Sequence, residues 1–421
     1  MEIEIINIGS ELMLGRVLNT HQQFLCSQLA NLGFVVNRQL AISDEAPVIQ
    51  NAVRESLGRA DLIITTGGLG PTSDDITRDL IAELLGRKLH VNAEVLSRIE
   101  TFFEQRKRRM PESTKVQAMV PEGAQVLHNA NGTAPGLAVE INSKSFQANN
   151  KSTLLVMLPG PPRELRPMFV NQVTPLLQKY FPKQEIFVCR TLKTTGLGES
   201  FVEEKISGRL KELTANKIEL GYCARVGEVD VRIVARGVEA ENHVAQAEKI
   251  IRESLSELIF GTNDNLLEAV VVRLLSEQKQ TLALAESCTG GFIANRITNV
   301  PGASEIFINS LVTYSNESKR RLLGVSDETL AQHGAVSEAT VREMAEGARQ
   351  RSKTDFALAV TGIAGPGGGT EEKPVGTVFI ALATAEKTSV KHHVFQYDRE
   401  TFKYVTSQTA LDLLRREILP R

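Results

Sequence analysis

The chain has 421 residues, 42% hydrophobic and 23% charged, with a formal net charge of -2. This is more chain than one ordinary core organises, so two or three soluble globular domains are expected. The charge balance excludes electrostatic recruitment of bulk nucleic acid, and no apolar run approaches a membrane span. The cluster Arg106-Lys107-Arg108-Arg109 is short enough to be a solvated helix face. Cys26, Cys189, Cys223 and Cys288 are scattered without CxxC spacing, which argues against a disulfide framework or a zinc site and for a reducing cytoplasm.

Met1 to Ile8 alternates acidic and apolar residues with no basic leader, so Ile3–Ile8 reads as a first strand of the fold and not as a signal peptide. A helix containing Phe24, Leu25 and Leu29 follows, then a strand over Phe34–Leu40, a helix over Val48–Leu57 and a strand over Asp61–Thr66. This alternation predicts a doubly wound α/β sandwich, whose ligands sit beyond the carboxyl ends of its strands. That place is taken by Thr65-Thr66-Gly67-Gly68-Leu69-Gly70-Pro71-Thr72-Ser73-Asp74-Asp75-Ile76-Thr77. The glycines allow close backbone approach, and the helix start offers N–H donors to a phosphate. Asp74 and Asp75 bring carboxylates suited to a metal or to ribose or ring groups. The plain alternative is an N-capped turn whose acids suit the helix dipole.

Gly-Gly-x-Gly-Pro-Thr-x-Asp-Asp is more specific than a glycine-rich turn, and with it the domain resembles the MoaB/MogA molybdopterin-binding fold in the version found in CinA-like proteins. Gly9-Ser10-Glu11-Leu12, Asn131-Gly132-Thr133-Ala134-Pro135-Gly136 and Leu158-Pro159-Gly160-Pro161-Pro162-Arg163-Glu164-Leu165 carry the same resemblance. It implies, over residues 1–179, a nucleotide pyrophosphatase that splits ADP-ribose into AMP and ribose 5-phosphate with a divalent ion such as Mg, Mn or Co. By position it implies Glu11, Asp74 and Asp75 as metal contacts. Asp44, Gly67, Gly68, Gly70, Thr72, Asn131, Pro159 and Gly160 are the implied substrate contacts. His21 stands where this family's first helix is expected to carry Asn.

Residues 180–261 read as a small α+β module: a strand over Ile186–Thr194, a helix over Glu199–Leu213, a hairpin of Lys217–Cys223 with Val229–Ala235, and a helix over Val238–Leu258. The order is similar to the KH-like insert of CinA proteins. No Gly-x-x-Gly clamp joins adjacent helices and no aromatic stacking row is present, so RNA binding is not expected. A spacer or dimerisation role fits better.

Residues 262–421 form the last domain. A helix over Asn265–Ser276 leads into the apolar run Thr281-Leu-Ala-Leu-Ala, which ends in Glu286-Ser287-Cys288-Thr289-Gly290-Gly291 and passes into Phe292–Ile297 at helical spacing. A strand that delivers a hydroxyl onto a helix N-terminus places a nucleophile beside unpaired N–H groups. Ser287 or Thr289 as a mere helix cap is the plain alternative. Further strands are expected within Glu305–Val312, Asp355–Thr361, Val375–Ala383 and Val390–Tyr397, with helices opening at Ser337 and Arg399. Strand ends thus present Ser287/Thr289, Tyr314 and Thr361/Gly362, with Lys319 and Arg399 as cations. Adjacent His392 and His393 face opposite ways on a strand, which disfavours a shared metal, and His333 reads as a helix end. A Ser-His-Asp triad has no support, whereas a Ser-Lys pair needs only a lysine whose proton affinity is lowered by burial or neighbours.

This domain closely resembles the C-terminal CinA domain, the nicotinamide mononucleotide (NMN) deamidase family. Its signatures are Ala285-Glu286-Ser287-Cys288-Thr289-Gly290-Gly291, Thr313-Tyr314-Ser315-Asn316-Glu317-Ser318-Lys319, His333-Gly334-Ala335-Val336-Ser337 and Thr361-Gly362-Ile363-Ala364-Gly365-Pro366. The match continues through Gly369-Thr370-Glu371-Glu372-Lys373-Pro374-Val375-Gly376 to Asp398-Arg399. The resemblance implies a cofactor-free deamidation of NMN to nicotinate mononucleotide and ammonia. Ser287 is then the nucleophile, Lys319 the base, Tyr314 a proton relay or positioner, and Thr361 a further catalytic group. Backbone N–H groups at Thr289-Gly290-Gly291 or at Thr361-Gly362 would hold the oxyanion, with Gly365 lining the substrate and Arg399 pairing with the 5′-phosphate. Cys288 is the rival nucleophile.

The whole chain thus reads as a bifunctional pyridine-nucleotide salvage hydrolase, cytoplasmic and homodimeric, acting on NMN and ADP-ribose with no nucleic-acid or membrane partner. The alternatives are a non-catalytic nucleotide- or pterin-binding protein linked to competence, or a chain with one active domain.

Overall fold

Strand β1 (Ile3–Ile8) is buried along its whole length because apolar layers cover both of its faces. The computed structural model describes residues 1–142, 152–182 and 186–419, in two units spanning 1–187 and 188–421. In the first unit, β1 is followed by β2 (Arg38–Ile42), β3 (Leu62–Thr66), a short ladder of β4 (Leu89–Val91) with β5 (Met119–Pro121), then β6 (Gln125–Leu127), β7 (Gly136–Asn142) and β8 (Ser152–Leu158). The main sheet runs β2-β1-β3-β8-β7-β6, parallel through β8 and antiparallel from β8 to β6. Ile3, Ile5, Leu62 and Ile64 pack with Leu25 and Leu29 of helix Thr20–Asn31, while Ile6, Ile8 and Ile63 pack with Ile49, Val53 and Leu57 of helix Ala46–Leu57. This double cover is why the strands read as continuous apolar runs.

The second strand begins at Arg38, later than the expected Phe34. Phe34 and Val36 are apolar because they pack on the core from an irregular segment. Asn37 then sets the pairing: its N–H donates to the Ile3 carbonyl, and its Oδ1 accepts from the Ile3 N–H, both at 2.9 Å.

The second unit holds two sheets. The first contains β9 (Phe187–Thr195), β10 (Glu219–Arg225), β11 (Glu228–Arg236) and β12 (Ile259–Thr262) in the order β10-β11-β9-β12. Helices Glu199–Asn216 and Ala240–Leu255 close its core through Val202, Ile206, Val244 and Ile251. Strand β12 was not expected; its four residues pair with β9 across a bulge, too short a run to show periodicity.

The other sheet contains β13 (Leu282–Glu286), β14 (Phe307–Val312), β15 (Phe356–Gly362), β16 (Thr377–Ala383) and β17 (Thr388–Val394) in the order β14-β13-β15-β16-β17. The first three strands are parallel, and β16 and β17 turn back antiparallel. Residue size alternates along the strands. Leu282, Leu284, Leu358 and Val360 face helices Leu267–Gln278 and Arg399–Ile418, whereas Ala283, Ala285, Ala357 and Ala359 face helix Glu338–Ser352. The alanines let that last helix ride close to the sheet. His392 and His393 stack on different rings, Phe379 and Phe395, in keeping with their expected separation. Among the described residues, no helix is long and apolar enough to cross a membrane.

The close helix has one intolerant position. A Cβ on Gly347 would lie 1.8 Å from the Leu323 carbonyl oxygen, a backbone atom with little freedom to move. Alanine gains about 1 kcal/mol of helix propensity over glycine, but overpacking costs on the order of 1–3 kcal/mol or more. Gly347→Ala is expected to lower Tm by several degrees in calorimetry, and an unchanged Tm would show that the helix can shift away.

Candidate active site

Strands β13, β14 and β15 end side by side, and their carboxyl ends carry the residues singled out in the last domain. Ser287 follows β13, with its N–H donating to the Val360 carbonyl at 3.0 Å. Beyond β14, Ser315 and Ser318 form a capping box that starts a helical turn and delivers Lys319 inward. Lys319 is 1% exposed and Ser287 8%. The ammonium Nζ stands 3.0 Å from Ser287 Oγ and 2.8 Å from the Thr313 carbonyl, donating to both. No carboxylate lies within ion-pair distance of Lys319 among the described residues. Burial therefore holds this lysine below its ordinary 10.5. In its neutral form the same contact lets Nζ accept the serine proton.

Glu286 was not singled out from sequence, yet it shapes the turn. It ends β13 fully buried, and its carboxylate accepts from Thr289 Oγ1 at 2.6 Å and from the N–H groups of Gly291, Ile293 and Ala294 at 3.0, 3.1 and 2.9 Å. It thereby satisfies the open amides and the positive end of helix Phe292–Thr298. No capping spacing marks it, because the acid reaches its helix from the preceding strand. The expected oxyanion role of Gly290 and Gly291 is corrected accordingly: Gly291 N–H is held by Glu286, and Gly290 N–H closes a turn onto the Ser287 carbonyl at 3.1 Å. Cys288 is buried, and burial pushes its thiol up to about 12, far from the thiolate that a nucleophile requires.

Two other expected roles change. Thr361 is an anchor, its hydroxyl donating to the Ala335 carbonyl at 2.8 Å, and Gly362 admits the close approach of β16, since a Cβ there would sit 2.7 Å from the Thr377 carbonyl oxygen. Tyr314 does not stand between Ser287 and Lys319, which touch directly; it is 61% exposed and accepts from Arg399 at 2.8 Å. Arg399 also donates to the Gly365 carbonyl at 2.8 Å, so exposed Tyr314 and Arg399 join buried Gly365 at the start of helix Arg399–Ile418.

The first unit has its own cleft of about 550 Å³ beyond the ends of β1, β3 and β8. Gly67 and Gly68 have φ of +96° and +69°, and added Cβ atoms would lie 2.3 Å from the Ile8 carbonyl oxygen and 1.9 Å from Thr77 Oγ1. Glycine alone fits there. A Cβ on Gly70 would meet the Asp75 carboxylate at 2.2 Å, and Pro159 and Gly160 form the facing wall. Thr72 braces the loop instead of lining it, donating through its N–H to Asp75 at 3.0 Å and through its hydroxyl as well. Asn131 is exposed and lies outside the lining, bonded through its N–H to Asn129; Thr133 and Ala134 take that place.

Asp44 accepts from the Ser10 N–H at 3.0 Å. Glu164 was missed by sequence reading; it lines the cleft, accepts from Asn129 at 2.8 Å, and has its proton affinity raised by burial. With Glu11, Asp44, Asp74 and Asp75 it brings the lining to five carboxylates and no lysine or arginine. Among the described residues, no three His, Cys, Asp or Glu side chains converge as a metal set. These residues fit a divalent ion whose coordination is completed by ligand oxygens, as is usual for magnesium on phosphates.

Removing Glu286 leaves buried donors unpaired, so Glu286→Ala is expected to lose about 3 kcal/mol or more of stability. Urea denaturation measures the loss, and a change within error would show that the turn is held by other contacts.

Family models match the chain in the same order as its three sequence segments. The molybdopterin binding domain model matches residues 4–179, the damage-inducible protein CinA KH domain model residues 189–261, and the CinA C-terminal domain model residues 264–418. A relative from Caldicellulosiruptor bescii, named as a competence-damage inducible protein, is 46% identical over 100% of both chains. The CinA-like protein of Kosmotoga olearia is 43% identical, again over 100% of both. The crystal structure of a competence/damage inducible protein from Agrobacterium tumefaciens is 43% identical, covering 35% of this chain and 91% of that one with a TM-score of 0.34. With these full-length relatives and three matched domains, the chain belongs to the CinA family of competence/damage-inducible proteins, with a MoaB-like domain at its head.

Proposed function

We propose that the second unit hydrolyses the carboxamide of NMN, releasing ammonia and nicotinate mononucleotide. The observation that carries the reading is the buried 3.0 Å contact between Lys319 Nζ and Ser287 Oγ. The family resemblance supplies the substrate. Ser287 Oγ attacks the amide carbon while neutral Lys319 takes the hydroxyl proton. The tetrahedral oxyanion collapses, the C–N bond breaks, and Lys319 returns the proton to the departing nitrogen as ammonia. Water then attacks the acyl ester, giving its proton to Lys319, and the ester bond breaks as Lys319 passes that proton to Ser287 Oγ, freeing the serine and the carboxylic acid. Arg399 at the exposed rim is the cation offered to the 5′-phosphate.

Ammonia release from NMN tests this. Ser287→Ala and Lys319→Met are each expected to lose roughly a thousandfold or more in kcat, as loss of one member of such a unit does. Full activity in Ser287→Ala would move the reaction to another residue. The base must be neutral, so kcat/KM is expected to rise with pH as Lys319 deprotonates, with its midpoint below 10.5 because burial lowers that pKa. A pH-independent profile from pH 6 to 10 would remove Lys319 as the base.

A second reading concerns the first unit and rests on its five lining carboxylates without a cation. We infer that this cleft takes a nucleoside diphosphate such as ADP-ribose together with a divalent ion, because bare phosphate would meet only negative charge. The ion would neutralise the diphosphate and polarise it toward water, held by some of Glu11, Asp44, Asp74 and Asp75. The glycine loop offers backbone to the phosphates at Gly68, the Gly67 N–H being held by the Leu158 carbonyl at 3.0 Å. Calorimetric titration with ADP-ribose is expected to show binding with Mg²⁺ and none in EDTA, with AMP appearing only in the first case. Tight binding in EDTA would overturn this reading.

A further inference from the structure

Buried polar atoms without partners are rare and mark places where water or a ligand completes the bonding. Three such atoms belong to residues that line the first unit's cleft: Gln117 Oε1, His21 Nδ1 and Asn19 Nδ2. Gln117 is 2% exposed, and its amide Nε2 donates to the Leu69 carbonyl at 3.4 Å, which fixes Oε1 as the free acceptor. His21 holds the Gly160 carbonyl through Nε2. That contact places the ring proton on Nε2 and leaves a lone pair on Nδ1, in a ring that burial keeps neutral. Asn19 uses Oδ1 to cap helix Thr20–Asn31, accepting from the Gln22 N–H at 3.2 Å, so its amide donor remains open. The cleft therefore offers two acceptors and one donor beside the loops that follow β3 and β8.

A phosphate does not satisfy these acceptors, because its oxygens at neutral pH are themselves mainly acceptors. A sugar hydroxyl does, since it donates and accepts at once. Leu69, the partner of Gln117, sits between Gly68 and Gly70, and Gly160, the partner of His21, lies opposite Gly67. In a nucleotide, the group covalently next to the phosphate is the ribose. We propose that Gln117 reads the ribose of the bound nucleotide, with Oε1 accepting a hydrogen bond from a 2′- or 3′-hydroxyl. The proposal rests on the nucleoside diphosphate reading of this cleft and makes Gln117 a specificity residue.

The test is calorimetric titration of the full-length protein, in Mg²⁺, with ADP, 2′-deoxy-ADP and 3′-deoxy-ADP. The wild type is expected to bind ADP at least tenfold more tightly than one of the deoxy analogues. Gln117→Met, of similar shape and without the acceptor, is expected to bind all three with the weaker constant, and Gln117→Glu to keep the preference because it keeps an acceptor. Without ligand, Gln117→Met loses both the unsatisfied oxygen and the long 3.4 Å bond to the Leu69 carbonyl, so its Tm is expected to stay close to wild type, and calorimetry of the free protein separates loss of fold from loss of the acceptor. A wild type that binds ADP without preference, or a Gln117→Met protein that retains the preference, overturns the proposal and leaves the cleft reading standing. No binding of ADP in Mg²⁺ overturns both.

Discussion

The proposed chemistry of the second unit depends on a carboxylate that never meets the substrate. Glu286 gathers a hydroxyl and three backbone amides from the turn that follows it. Those amides would otherwise leave a concentrated positive end beside a buried lysine, an arrangement that water could not relieve. With the helix end answered internally, the serine is fixed at the end of β13 and the lysine arrives from β14. Among the described residues Lys319 has no acid within ion-pair distance, and burial weakens its hold on its proton. A structural ion pair at the same depth would raise the lysine pKa and remove its use as a base.

The two units use the carboxyl ends of their strands differently. In the second, Ser287 and Lys319, the proposed nucleophile and base, are already in contact, so the proposed chemistry needs no rearrangement to bring them together. In the first, close-packed glycines and unmatched carboxylates leave the charge of the site incomplete. On the proposed readings, one site is pre-assembled from side chains and the other would be completed by what binds.

Much of this was legible in the chain. Ile3–Ile8, the glycine loop at Gly67-Gly68-Leu69-Gly70, and the strand ends bearing Ser287 and Lys319 follow from apolar periodicity and from residue types that only a few backbone shapes accept. The Leu/Ala alternation was present in Leu282-Ala283-Leu284-Ala285, though only the assembled sheet shows which side each helix takes. Contacts between residues far apart in sequence were not legible. Tyr314 reaches Arg399 and Thr361 reaches Ala335, partnerships that local spacing does not encode. Phe34 misled because an apolar side chain reports burial, and burial does not require a strand. Gln117 was invisible for the complementary reason: an amide in a polar stretch reads as surface until its surroundings are known.

Cys288 stands next to Ser287, the proposed nucleophile, a position where a thiol would ordinarily invite peroxide. It is covered, and its proton is held so strongly that thiolate is scarce at neutral pH. Oxidation to sulfenic acid proceeds through the accessible thiolate, so this sulfur stays outside that chemistry. The elbow thus contains a cysteine and behaves, toward oxidants, as though it contained none.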